Sequence, residues 1–98
     1  MVRSMYTEHL SEAELGELDA LARAASPGPW RAFAGPGIGG PAFISLSNDD
    51  AMPDMYVQHD DKPAPDADLD FIAAARNYVP RLLTEIRKQR GRRLRSAA

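Results

Sequence analysis

Residues 66–86 read Asp66-Ala67-Asp68-Leu69-Asp70-Phe71-Ile72-Ala73-Ala74-Ala75-Arg76-Asn77-Tyr78-Val79-Pro80-Arg81-Leu82-Leu83-Thr84-Glu85-Ile86. At about 100° per residue, Phe71, Ile72, Ala75, Val79, Leu82, Leu83 and Ile86 fall on one stripe, while Asn77, Arg81 and Glu85 lie away from its centre. The pattern predicts an amphipathic helix capped by Asp66 or Asp68, with Asp70 favoured near its positive end. Pro80 complicates it. Proline deletes the bond its amide would make to the carbonyl of Arg76, so the helix either kinks there or restarts with Pro80 in its first turn. Because the apolar stripe keeps phase across Pro80, a kink is the preferred expectation.

Toward the N-terminus, residues 1–9 show no periodicity and are expected to be flexible. Ser11-Glu12-Ala13-Glu14 then has capping-box spacing, with Leu10 and Leu15 placed as a hydrophobic staple. Leu18, Leu21, Ala22 and Ala25 continue one face and Glu12, Asp19 and Arg23 the other, predicting a helix over residues 12–25 that Gly16 weakens by about 1 kcal/mol relative to alanine. Ser26-Pro27-Gly28-Pro29 stops it, since proline lacks the donor and turns its predecessor away from helical angles.

The apolar period changes after Trp30. Residues 30–34, 42–47 and 55–59 are short, rich in aromatic or β-branched types and bounded by turn formers, so they predict three antiparallel strands in a meander. In the second, Ile44 and Leu46 point one way and Ser45 and Ser47 the other. The linkers at 35–41 and 48–54 have hairpin-loop lengths, and residues 60–65 form a proline-stiffened link to the long helix. The expected architecture is α+β: N-terminal helix, three-stranded antiparallel meander, and a long C-terminal helix kinked or broken at Pro80. Residues 10–90 form the single domain, followed by a basic flexible tail over 91–98. The expected core contains Trp30, Phe71, Ile72, Val79, Leu82 and Leu83, with the Trp30 ring against the stripe where Ala75 leaves room.

Composition narrows the function classes. Ninety-eight residues support one modest core. No apolar run approaches membrane-spanning length, and Glu8, Glu12 and Glu14 follow Arg3 where a secretory signal would have its apolar region, so a cytoplasmic location without membrane contact is expected. The absence of cysteine excludes disulfides, thiolate zinc sites and thiol redox chemistry. Charge is unevenly spread: residues 1–86 carry six basic and fourteen acidic side chains, whereas the six charged residues beyond them are all basic.

Ser26-Pro27-Gly28-Pro29-Trp30, the segment Asp68-Leu69-Asp70-Phe71-Ile72-Ala73-Ala74-Ala75-Arg76, and Val79-Pro80-Arg81-Leu82-Leu83 together carry a family resemblance over about a third of the chain. The pattern resembles the Ead-type early proteins of lambdoid phages and prophages and short actinobacterial homologues, which pair a Pro-Gly-Pro-Trp turn with an alanine-rich helix. The resemblance implies an accessory or regulatory role with self-association, and brings no catalytic residues.

Chemistry-bearing constellations are few. The acidic loops, with Asp50, Asp54, His59 and Asp60 as the best ligand set, offer oxygen donors and an imidazole for a hard divalent cation, yet lack the glycine and glutamate spacing of an EF-hand, and Asp in turns also serves local backbone bonding. Residues 35–40 are glycine-rich but lack the lysine and Ser or Thr of a phosphate-binding loop, and fit a hairpin loop instead. No nucleophile motif is present, so no catalytic residue is assigned and no cofactor is expected. Arg87, Lys88, Arg90, Arg92 and Arg93 could meet nucleic acid, although cations at a helix C-terminus also complement its dipole. The leading expectation is a small non-enzymatic interaction or regulatory protein, a homodimer or the ligand of a protein partner. The alternatives are a divalent-metal module or metal-dependent enzyme on the acidic loops, and nucleic-acid binding through the basic tail.

Overall fold

The computed structural model describes residues 9–46 and 52–97. In chain order the elements are helix α1 (Glu12–Ala24), strand β1 (Arg31–Phe33), a 3-10 turn (Pro36–Ile38), strand β2 (Phe43–Ser45), the short strands β3 (Gln58–His59) and β4 (Lys62–Pro63), and helix α2 (Asp66–Ala97). The class is α+β, as the periodicities predict. Helix α2 packs on β1 and β2, and α1 packs on α2.

The capping box forms as its spacing requires. The Glu14 amide donates to the Ser11 hydroxyl at 3.0 Å, and the Ser11 amide donates to the Glu14 carboxylate at 2.8 Å. The last α1 bond runs from the Ala25 amide to the Leu21 carbonyl, directly before Ser26-Pro27 turns the chain away.

Strands β1 and β2 pair antiparallel with Arg31 opposite Ser45, Ala32 opposite Ile44 and Phe33 opposite Phe43. The glycine-rich segment is the loop between them. Gly35 at φ 102 and Gly39 at φ 77 occupy the left-handed region, where a side chain would be strained. The expected three-stranded meander is corrected to a two-stranded ladder plus one bridge: Ile44 and Met55 exchange both backbone hydrogen bonds, at 2.9 and 2.8 Å, and pairing stops there. In that register residue 53 would face Leu46, but Pro53 has no amide to donate. On the other side the Val57 carbonyl is taken by the Ala64 amide at 2.9 Å. The chain then folds on itself in a second two-stranded sheet, Gln58 opposite Pro63 and His59 opposite Lys62, through a two-residue turn in which Asp60 has φ 55. Aspartate tolerates that region better than most side chains.

Helix α2 is continuous from Asp66 to Ala97 with Pro80 inside it, so it does not restart at the proline. The amides of Asp68 and Leu69 reach the Pro65 carbonyl. Pro65 therefore holds the cap position, and Asp66 and Asp68 lie in the first turn, where the helix dipole favours them. The backbone stays helical through residues 91–97, the stretch read above as a flexible basic tail, and Arg92, Arg93 and Leu94 there are exposed.

One core cluster contains Trp30, Ile44, Leu46, Ala64, Leu69 and Ala73, with Ile72, Met55 and Val57 partly buried against it. Leu15 and Leu83, one on each helix, are also buried. Trp30 is 9% exposed and belongs to the core, as expected. Two expected core residues do not: Phe71 is 74% exposed and Leu82 is 56% exposed. Val79 and Ile72 are half-buried. The cause is rotation of α2 about its axis. The sheet approaches over Leu69 and the small Ala73, which turns the Phe71 side of the apolar stripe outward.

Candidate interaction surface

Two features of α2 define the surface: the clamp that fixes its rotation, and the apolar strip that this rotation leaves in solvent. The clamp starts from the proline-rich turn, whose Gly28–Pro29 peptide is cis. The Asn77 side-chain amide lies along the backbone of Trp30, accepting from its N–H at 2.8 Å and donating to its carbonyl at 2.8 Å. The preceding residue, Arg76, donates from Nε to the Ser26 carbonyl at 3.0 Å, and its guanidinium stands 5.9 Å from the Trp30 ring centroid. The indole Nε1 donates to the Pro27 carbonyl at 3.2 Å. A carboxamide carries one acceptor and one donor on the same planar group, so it can replace a strand partner for an isolated residue. Neither Trp30 main-chain group is thus left buried without a partner.

Farther along, ion pairs tie α2 to α1. Arg90 reaches Glu12 at 2.6 Å and donates to the Leu10 carbonyl at 2.6 Å, and Arg87 stands 3.6 Å from Asp19. Two of the five basic residues singled out in the sequence are therefore engaged within the chain, while Lys88, Arg92 and Arg93 are exposed.

With α2 so held, Phe71, Tyr78 and Leu82 lie along one outward line with Ala75, at 74%, 54% and 56% exposure for the three large residues. Beside this line an apolar groove of about 240 Å³ runs between the helices, walled by Leu18, Leu21 and Ala22 on α1, Ile72 and Val79 on α2, and floored by Trp30. Leu21 at its rim is 61% exposed. Single exposed leucines are ordinary, but a line of two aromatics and a leucine beside an apolar groove is not.

A second row of rings lies on the outer face of the sheet. Phe33 and Phe43 stack with centroids 5.2 Å apart, Tyr56 follows at 5.7 Å, and the Arg31 guanidinium is 5.1 Å from the Phe33 centroid. The register puts them together, and no motif in the sequence announced it.

Of the proposed metal ligands, Asp50 lies outside the described residues. Asp54 and Asp60 are exposed, and His59 Nε2 sits 2.9 Å from Asp68 Oδ2, strapping the β3–β4 hairpin to the first turn of α2. Among the described residues no three His, Asp or Glu side chains converge to hold a metal ion. No described helix is long and apolar enough to cross a membrane. No family model, curated protein or solved structure matches the chain.

Proposed function

We propose that this chain is a small non-enzymatic interaction protein of regulatory type, working through contact of the α2 strip with another polypeptide chain. The single observation that carries the reading is the line Phe71, Tyr78 and Leu82 left in solvent beside an apolar groove. An isolated domain gains nothing by exposing two aromatic rings in line, whereas a helix face with anchors spaced seven and four residues apart is the form in which helices are recognised. The segments that resemble phage and prophage early proteins, the Pro-Gly-Pro-Trp turn and the alanine-rich helix, are the two that the Asn77 clamp joins, and they support an accessory role of that type.

Site-specific photo-crosslinking tests this. A benzophenone side chain at Tyr78 gives discrete adducts in the cells that make the protein, and one at Ala20, exposed on the side of α1 turned away from Leu18 and Ala22, does not. Equal yields from both positions refute the reading. A second reading, nucleic-acid binding, draws on the exposed Arg81, Lys88 and Arg92, which recur at seven and four residues along α2. It predicts affinity that falls steeply with salt and disappears when these three become glutamine; retention of affinity in that variant removes it.

A further inference from the structure

We propose that the partner of the α2 strip is an acidic amphipathic helix of another protein, with its apolar face on Phe71, Tyr78 and Leu82 and a flank of carboxylates on Arg81, Lys88 and Arg92. The proposal rests on the interaction reading above and adds the chemistry of the partner.

Arg81, Lys88 and Arg92 repeat the seven-and-four spacing of Phe71, Tyr78 and Leu82 ten residues later. At about 100° per residue, this turns the cations roughly 80° round the helix from the apolar line. Ile72 and Val79, which wall the groove, are turned about 100° the other way. The strip therefore lies between an apolar edge and a cationic edge. An amphipathic helix has the matching form, since its apolar stripe can cover the strip and reach the groove rim at Leu21 while one polar flank faces the cations.

Charge selects the flank. Among the described residues no carboxylate pairs with Arg81, Lys88 or Arg92, all three exposed, whereas Arg87 and Arg90 are held by Asp19 and Glu12. Residues 1–86 carry fourteen acidic side chains against six basic ones, so carboxylates are plentiful, yet these three cations stand apart from them. Glu85 is the one acidic residue between 81 and 97, and it accepts from Gln89 Nε2 at 3.5 Å. The helix dipole does not account for the cations, because its effect is confined to the last turn and the helix runs on to Ala97. Carboxylates on the partner would complement them.

A nucleic acid matches the cations and not the rest of the surface. The Arg81 guanidinium stands 5.3 Å from the Tyr78 ring centroid, over a ring face that a base would need for stacking. Asp66 and Asp70 are exposed toward the Phe71 end of the strip, where they would repel phosphate. The groove walled by Leu18, Leu21, Ile72 and Val79 also calls for an aliphatic or aromatic side chain, which a peptide supplies and a nucleotide chain does not.

At about 1.5 Å per residue the surface from Phe71 to Arg92 is about 32 Å long, so the probe is a synthetic amphipathic peptide of about 22 residues with leucine along one face and glutamate along one flank. Two control peptides change the glutamates to glutamine or the leucines to serine. The full chain should bind the glutamate peptide at low salt at least ~10-fold more tightly than the glutamine peptide, with the difference shrinking as salt rises. The indole N–H resonance of Trp30, on the groove floor, should move on binding. Arg81→Gln/Lys88→Gln/Arg92→Gln should keep its circular dichroism and lose the glutamate preference, and Phe71→Ser/Leu82→Ser should weaken binding of both peptides at least ~10-fold. Equal affinity for the glutamate and glutamine peptides, a preference that survives the triple glutamine variant, or no binding up to about 1 mM overturns the acidic-helix proposal, while crosslinking from position 78 decides the interaction reading on its own. A serine peptide that binds as tightly as the leucine one overturns the apolar half of the contact. A single-stranded oligonucleotide that binds more tightly than the glutamate peptide overturns the proposal in favour of nucleic acid.

Discussion

Replacing Asn77 by alanine should be among the most damaging substitutions outside the apolar core, although the sequence presents it as a polar residue off the helix stripe. The change removes two hydrogen bonds of 2.8 Å to the main chain of Trp30, a residue only 9% exposed. Each bond contributes about 1 kcal/mol net, and a donor or acceptor left buried without a partner costs about 1–3 kcal/mol. Where water reaches one of the two groups and not the other, the loss is about 2–4 kcal/mol. At about 4–8 °C per kcal/mol for a domain of this size, melting should fall by roughly 8–32 °C. Because Trp30 is the single tryptophan, its emission reports the same event: the folded variant should show a red shift as water enters beside the indole. Asn77→Asp keeps the acceptor for the Trp30 amide but turns a carboxylate oxygen toward the Trp30 carbonyl at neutral pH, so it should not rescue. Urea melts of both variants that fall within about 0.5 kcal/mol of the parent, with unshifted emission, would refute the clamp as the element that fixes α2.

Leu83→Ala should cost about 2–5 kcal/mol in chemical denaturation, as for a buried leucine, whereas Leu82→Ala next to it should change stability by no more than about 0.5 kcal/mol because its side chain is mostly in solvent. Trp30→Ala should cost about 3–5 kcal/mol, and an unchanged thermal melt would remove the tryptophan from the core. Loss of the capping hydroxyl in Ser11→Ala should lower stability by about 0.5–2 kcal/mol, read from the thermal midpoint, with Ser11→Asp close to the parent. Arg90→Ala should cost about 1 kcal/mol or less at low salt and less still at high salt, since Glu12 opposite is mostly exposed; a loss independent of salt would assign Arg90's contribution to its bond with the Leu10 carbonyl instead.

Local chemistry made part of this protein readable from sequence. The Ser11–Glu14 box, the stop at Ser26-Pro27, the hairpin loop over the glycines and the helix from Asp66 all rest on interactions within a few residues, and each formed where its spacing placed it. The burial of Trp30 was legible because a large ring directly after a chain-reversing turn has few places to go but inward. The length of the third strand was not legible, since it depended on Pro53 meeting Leu46 and on the Val57 carbonyl finding Ala64, both consequences of register. The outer ring row of Phe33, Phe43 and Tyr56 came from the same source.

The candidate surface divides along the same line. Sequence by itself determined that residues 66–86 form an apolar-faced helix, because periodicity is a property of one segment. By apolar bulk it favoured Phe71 and Leu82 for the core over Leu69 and the small Ala73, and the structure reverses that choice. Only the tertiary structure decided between them, through Asn77 and Arg76 binding the backbone of Trp30 and Ser26 and so fixing the rotation of α2. A polar side chain that satisfies main-chain groups nearly fifty residues away leaves no periodic mark, and it is this contact that turns Phe71 and Leu82 from expected core into the exposed face, in line with Tyr78, on which the functional reading rests.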